Sequence, residues 1–554
     1  MILATAFVLR FVGIFYGYPL ILAGDETPTL LASLKMIGTH SLRAATPGYY
    51  YPALLSYIYL PFLVIFLGFG RLFGLFSDIK AMQEAVFFNL GIFIPVVRFV
   101  SVFLGTLSVY LSYKITRLLF NDKKTGLLAA FFVTISYFNV SNAHFAQTWT
   151  AQTFFILLAL YFAIKFYKKD NPGAKDYIFG GLIVGVAFGI NFVGILSYFW
   201  FVLAHFLRNK KDGFVKIFIK NKSFWLMNLF LLLTMILVYY LNPYGLNNYL
   251  SRIMYPSADA AVGIGNSSYK PFSFSFLKVL WFYIKNTVIQ EPVFFALALA
   301  GSVFLWLRNK IIFYFLVLWA ILYYLMISPL TGAMGRYILP VVPLMAIITA
   351  GFIQARFSGF LNKKIVWICL IIISIYSIYF SILFDIRMLK QDTRVLARNW
   401  ILENIPSGSI IKNEYFGESL YLIEDKRGIN LIKDNRPELF STKRKYLLSL
   451  SDKDYPKSNY FISGLSDISR LVPKFDYVIL AGFDKNDLSK QAEDLPKNAE
   501  LIKVFYPVKI KDNLLLQPSF KKLQFTPDNS QFRPWFLFEQ VDYNGPYIEI
   551  YKLR

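Results

Sequence analysis

What most constrains this chain is where its long apolar runs begin and end. Runs close to the roughly 20 residues needed to cross a bilayer recur from Ile2 to Phe384, and then they stop. With 56% hydrophobic and 19% aromatic residues and a mean hydropathy of +0.50, the chain exceeds what a soluble core and its surface carry. The expectation is a polytopic α-helical membrane protein over residues 1–384, followed by a water-soluble domain over residues 385–554. The second part holds 27 Lys and Arg against 23 Asp and Glu, so most of the formal +24 belongs to the membrane part. There the basic residues cluster between apolar runs. That is the positive-inside bias together with lipid headgroup contact, not a nucleic-acid surface. Cys369 is the only cysteine, so no intrachain disulfide forms.

Charge placement gives a topology. The basic segments Lys114–Lys124, Lys165–Lys175, Arg208–Lys222, Arg308–Lys310 and Arg356–Lys364 are assigned to the cytoplasm. With a cytoplasmic N-terminus, spans fall near 2–22, 92–113, 126–142, 150–165, 223–241, 291–307, 311–328, 336–355 and 365–384. Residues 177–206 cross twice as a pair of short helices turning near Asn191, for about eleven crossings in all. Parity makes 52–76 a re-entrant or juxtamembrane helix pair; the alternative is that it crosses and another segment does not. The first run is longer than a signal-peptide core and lacks a charged start, so it is read as a span.

Residues 1–384 contain ten acids, and two of them, Asp25 and Glu26, are adjacent just past the first run. A carboxylate near hydrocarbon costs several kcal/mol unless hydrated, paired or used, which makes such an acid a site candidate by default. The topology brings Asp25, Glu26, Arg98, His144, Gln147, Glu291 and Arg336 to the non-cytoplasmic face. An acid pair, two arginines and a histidine have the chemistry to bind an anionic phosphate and deprotonate an acceptor. The plain alternatives are an acid marking a helix end, snorkelling arginines, and a helix-end histidine.

Several stretches resemble lipid-phosphate-sugar glycosyltransferases of the GT-C fold, which include protein O-mannosyltransferases and aminoarabinose transferase. They are GDETPTLLASLKMIGTHSLRAATPGYYYPALLSY after the first span, Arg98 with its span and basic loop, SNAHFAQTWTAQTFFILLAL around His144, and GRYILPVVPLMA at Arg336. The resemblance covers Met1 to Phe384 in order and spacing. It implies an integral membrane glycosyltransferase that moves a hexose or pentose from a polyprenyl-phosphate donor to an acceptor hydroxyl on the outer face, with inversion. In that reading Asp25 is the general base with Glu26 beside it. Arg98, His144, Arg336 and Tyr337 hold the donor phosphate. Gln147, Glu291 and Arg252, the last in the outer loop 242–290, make acceptor or secondary contacts. The implied partners are the polyprenyl-phosphate sugar, membrane lipids and an acceptor protein, lipid or glycan, with no nucleic acid. The implied location is the plasma membrane, with the soluble domain extracytoplasmic. No metal-ligand spacing occurs, and the cofactor is undetermined, a divalent metal included. One departure stands out. Many relatives carry a second acid shortly after the His-Phe-Ala string, where this chain has Thr148, Trp149 and Thr150, so a member without activity is an alternative. The rivals from other classes are a transporter or flippase, and a non-catalytic binder of lipid-linked saccharide.

In the tail, DTRVLARNWILENI has helical spacing, Pro406-Ser407-Gly408 breaks it, and SII, YVILAGF and YIEIYKL read as strands of an α/β domain. It contains no nucleophile elbow and no phosphate loop. A binding or lid module is the expectation.

Overall fold

The computed structural model describes residues 1–43, 51–210, 213, 215–254, 276–329, 334–357, 364–413, 420–463, 474–483, 485–508, 534 and 541–554. The chain divides into two compact units. One comprises Met1–Ile14, Gly24–Gly70 and Ile94–Asp385; the other comprises Phe15–Ala23, Arg71–Phe93 and Ile386–Arg554.

In the first unit, helix α1 spans Ile2–Phe11, half the length expected for the first span. Val12 leaves the helical region, and Gly13 and Gly17 take φ of 79° and 84°, a conformation that glycine adopts without a Cβ penalty, so the chain turns. Helix α2 (Thr27–Thr39) follows a 3₁₀ turn over Gly24–Glu26. Helix α3 (Leu54–Leu72) is one continuous helix carrying Pro61, in place of the pair expected over 52–76. Helix α4 (Ile79–Phe88) belongs to the second unit. Helix α5 (Ile94–Phe120) packs against α1 and against α6 (Lys123–Ile135), α7 (Tyr137–Ala143) and α8 (Thr148–Lys168). Its Ser108, Ser112 and Thr116 hydroxyls donate to carbonyls one turn back at 2.7–2.9 Å, which leaves small, satisfied surfaces for close helix contact. A Cβ at Gly105 would sit 3.1 Å from Ala143 Cβ and 3.2 Å from Arg10 Cδ, so glycine here admits α1 and α7 to the flank of α5. The span expected over 126–142 is broken at Ser136, where α6 and α7 meet at 58°.

Helices α9 (Ala174–Ile190) and α10 (Tyr198–Asn209) are separated at Asn191, the turn read from the sequence; its side-chain oxygen accepts from Val193 N at 3.4 Å. Gly181, Gly185 and Gly189 put a glycine stripe at every fourth residue of α9 against α11 (Lys222–Leu241). A side chain at Gly181 would overlap the Met227 carbonyl, so the two backbones touch there. Part of the expected outer loop 242–290 is helical, as α12 (Pro243–Met254) and α13 (Phe276–Gln290). Helix α14 (Pro292–Arg308) leaves α13 at 113° around Glu291. The remainder of the unit is α15 (Lys310–Phe313), a π-turn, α16 (Trp319–Ile327), α17 (Val341–Phe357) and α18 (Lys364–Met388). Among the described residues six helices are long and apolar enough to cross a membrane, or up to eight if each bent pair is one span. The helices at Ile2–Phe11 and Val341–Arg356 fall short of that length. The protein is a mostly helical, multi-pass membrane protein.

The second unit carries a five-stranded sheet in the order β2-β1-β3-β5-β4, with β1 (Ile410–Asn413), β2 (Phe461–Ser463), β3 (Tyr477–Gly482), β4 (Ala499–Phe505) and β5 (Tyr547–Leu553). Strand β1 runs parallel to β2 and β3, whereas β5 is antiparallel to both β3 and β4. The three segments read as strands are β1, β3 and β5. The two that sequence reading missed are the edges: β2 has three residues, and β4 is partly exposed and carries Glu500 and Lys503. Helix α19 (Thr393–Asn404) covers the sheet and is capped by Asp392. That carboxylate accepts from Arg394 N at 3.0 Å, Arg394 Nε at 2.8 Å, Arg394 Nη2 at 2.9 Å and Tyr16 Oη at 2.8 Å. Burial disfavours its charge, but the Arg394 guanidinium and these donors hold the carboxyl below its ordinary 3.8. A depressed carboxyl stabilises the fold above 3.8, and that contribution is lost as pH falls through the lower folded value. Asp392→Asn is therefore expected to cost about 1–3 kcal/mol near neutrality. In thermal unfolding across pH, the gap to wild type should close below pH 3.8.

Candidate active site

The two adjacent acids leave the 3₁₀ turn in different directions and take different arginines. Glu26 is fully buried. Arg98, on the first turns of α5 and also fully buried, meets it with two parallel bonds, Nε to Oε1 and Nη2 to Oε2, both 2.8 Å. Arg98 Nη1 donates to Ile14 O at 3.0 Å, and its guanidinium carbon lies 5.6 Å from the centre of the Phe145 ring. Ala146 N donates to Glu26 Oε1 at 2.8 Å. Two ions with no exposure persist only when paired and hydrogen-bonded in this way.

Asp25, 41% exposed, accepts from Nη2 of Arg336, which is only 7% exposed. Arg336 sits in the 3₁₀ turn Gly335–Ile338 that leads into α17, and its Nη1 donates to Gln147 Oε1 at 3.4 Å. The sequence reading placed Tyr337 with it, and Tyr337 stacks on Trp149 with centroids 4.4 Å apart at 26°. Trp149 is one of the residues standing where the resemblance leads one to expect an acid. The structure thus brings together Asp25, Glu26, Arg98, Gln147, Arg336 and Tyr337. The short link between α7 and α8 serves both ion pairs, with Phe145 and Ala146 at Glu26–Arg98 and Gln147 at Asp25–Arg336.

Glu291 and His144 lie elsewhere. Glu291 Oε1 accepts from Ser136 Oγ at 2.6 Å and Phe138 N at 3.0 Å, and its Oε2 accepts from Ser377 Oγ at 2.9 Å. It therefore caps the N-terminus of α7 at the break. On the other side of the break, Arg10 Nη2 donates to Val133 O at 2.9 Å and Nη1 to Thr134 O at 3.3 Å, at the C-terminal carbonyls of α6. An acid side chain on a first-turn amide of α7 and a cation on the C-terminal carbonyls of α6 satisfy groups that a broken helix leaves open. Glu291 is thus a clamp on a helix break; the acceptor role expected of it does not fit a buried carboxylate committed to three donors. His144 Nδ1 faces Val140 O at 2.8 Å, and its Nε2 stands 3.1 Å from Asp385 Oδ1, close though not in line for a full hydrogen bond. It is not at Arg336. Arg252 and residues 255–275 lie outside what is described, Arg252 in its side chain. Among the described residues no three His, Cys, Asp or Glu stand close enough to hold a metal ion. Sequence reading passed over Arg10, although a lone arginine within an apolar run is itself a signal, and over Asp385, which follows Ser377 and Ser381 at helical spacing.

Residues 83–241 match the model of the family described as dolichyl-phosphate-mannose-protein mannosyltransferase. The chain resembles the lipid-phosphate-sugar glycosyltransferases. The matched stretch holds Arg98, His144 and Gln147, with Asp25, Glu26 and Arg336 outside it. An uncharacterized protein of Aquifex aeolicus (strain VF5) is 24% identical over 274 residues, 47% of this chain and 49% of that protein, so the match spans about half of the relative's length. Among solved structures, ArnT from Cupriavidus metallidurans bound to undecaprenyl phosphate is similar at 13% identity and a TM-score of 0.48, over 91% of this chain and 95% of ArnT. The archaeal oligosaccharyltransferase AglB from Archaeoglobus fulgidus, in complex with an inhibitory peptide and a dolichol-phosphate, is similar at 12% identity and a TM-score of 0.46, over 86% of this chain and 69% of AglB.

Proposed function

We propose that the protein is a membrane glycosyltransferase that moves a sugar from a polyprenyl-phosphate donor to an acceptor hydroxyl, with inversion, at the Asp25–Arg336 pair. The observation that carries the reading is that pair itself: a partly exposed carboxylate held by a nearly buried guanidinium. Arg336 offers the donor phosphate charge-assisted bonds, and the phosphate competes with Asp25 for them. Once displaced, Asp25 is free to take the acceptor's proton. The acceptor oxygen then bonds to the anomeric carbon, the bond from that carbon to the phosphate oxygen breaks, and the negative charge gained by the leaving polyprenyl phosphate is met by Arg336.

Two roles expected from the sequence are reassigned in this reading. Arg98 is committed to Glu26 and Ile14 O, so it builds the floor of the site instead of holding phosphate. His144 likewise gives up the phosphate role, its ring being turned to Val140 O and Asp385. The pocket faces the non-cytoplasmic side of the plasma membrane in this account, with about eleven crossings and residues 385–554 outside the cell. The family match supports the donor class. Sugar and acceptor follow from an experiment: mass spectrometry of envelope glycans, lipids and glycoproteins from cells with and without the protein. A hexose or pentose missing in its absence is the expected result. Unchanged envelopes, with lipid-linked sugar moved across the membrane only when the protein is present, would favour a transporter.

A further inference from the structure

We propose that His144 and Asp385 are a positioning pair that fixes the link between α7 and α8, and through it the register of both arginine–carboxylate pairs. The link, residues 144–147, has four residues between helix ends, and three of them serve the site. Phe145 lies against Arg98, Ala146 N donates to Glu26 at 2.8 Å, and Gln147 accepts from Arg336 at 3.4 Å. Tyr59 Oη donates to Ala146 O at 3.1 Å. The remaining residue, His144, reaches away from the site. Its ring is bonded through Nδ1 to Val140 O, stands edge-on to Phe384 at 5.1 Å and 72°, and faces Asp385 through Nε2. Asp385 ends a buried polar stripe on α18 whose other members hold the α6–α7 break: Ser377 bonds Glu291, and Ser381 Oγ donates to Ile135 O at 3.0 Å. Arg10, clamped on the same break, lies within electrostatic reach of Asp385. One end of the link therefore faces α18, and the other is bonded to Glu26 and Arg336. With Nδ1 spent on Val140 O, Nε2 is the ring atom turned toward the carboxylate, 3.1 Å from Oδ1. A buried tie of that kind resists the small displacements that cost catalysis most.

The kinetic half of this proposal rests on the transfer reaction proposed above; the structural half does not. The test is hydrogen exchange on the full-length protein in nanodiscs, comparing wild type, Asp385→Asn, His144→Asn and His144→Gln. The first two variants should raise exchange in a peptide over residues 144–148 by about tenfold, with α5 and α8 unchanged. His144→Gln, whose amide N–H reaches the place of Nε2, should restore most of the protection. The double variant His144→Asn with Asp385→Asn should be no worse than the poorer single one. In a transfer assay, kcat should fall by up to about 100-fold while KM changes little. Unchanged exchange over 144–148 overturns the proposal, as does faster exchange spread over α5 and α8, which would mark a general support of the fold. If wild type transfers no sugar but the exchange pattern holds, the reaction reading fails and the positioning pair stands.

Discussion

Arg98→Ala is expected to reduce stability by about 3–5 kcal/mol, because it leaves the Glu26 carboxylate buried with its bidentate partner gone. The same removal takes away the donor to Ile14 O, where the chain leaves the first unit's opening segment. A loss of that size is a large share of the margin by which a folded protein normally exceeds its unfolded state, so low yield and early thermal unfolding in detergent should follow. The partner substitution separates charge from packing. Glu26→Gln keeps the shape and one acceptor but leaves the arginine unneutralised, and should also destabilise strongly. The double change of Arg98 to Met and Glu26 to Leu leaves no orphaned charge and should recover much of the loss, as expected when apolar residues of similar volume replace a buried pair. A double variant as unstable as the sum of the single ones would contradict that account.

Asp25→Asn should behave in the opposite way, with a small effect on stability and a large one on rate. Asp25 is 41% exposed, and in the variant Arg336 still reaches Gln147 and the amide oxygen, so unfolding should shift little. Turnover should fall by about 10²–10⁴, the usual share of a positioned general base. An amide keeps the shape and the hydrogen bond to Arg336 but cannot take a proton. Activity retained in Asp25→Asn would therefore remove the base from the mechanism, and a carrier or binder of lipid-linked sugar should show that indifference.

How much of this was legible in the sequence depends on how scarce each signal is. Ten acids in 384 residues of largely apolar chain made Asp25 and Glu26 stand out, and Arg98 and Arg336 stood out by lying within apolar runs, away from the basic clusters between them. The partners were not legible: neighbours on one turn diverge, so each acid took a separate arginine, and no spacing rule announces which. The helix breaks carried signals that an apolar-run reading smooths over. Ser136 is an N-cap within the run 126–142, and Glu291 precedes Pro292, the usual first-turn proline. Those breaks explain why Glu291 looked like a site acid, since a carboxylate capping a buried helix start and one serving chemistry are equally rare in such a sequence. The first helix ended early for local reasons, Gly13 and Gly17 among them, while hydropathy ran on past them. Tertiary pairing at Gly181, Gly185 and Gly189 had a sequence period of four, and it was overlooked because glycine reads as apolar filler.

The most direct measurement compares the affinity of wild type, Asp25→Asn and Arg336→Ala for a polyprenyl phosphate in the same nanodisc preparation. If Asp25 and phosphate compete for one guanidinium, the two substitutions act with opposite sign: Asp25→Asn binds more tightly than wild type, and Arg336→Ala binds more weakly. Equal weakening by both, or no change with either, would contradict a shared site for proton transfer and the departing phosphate.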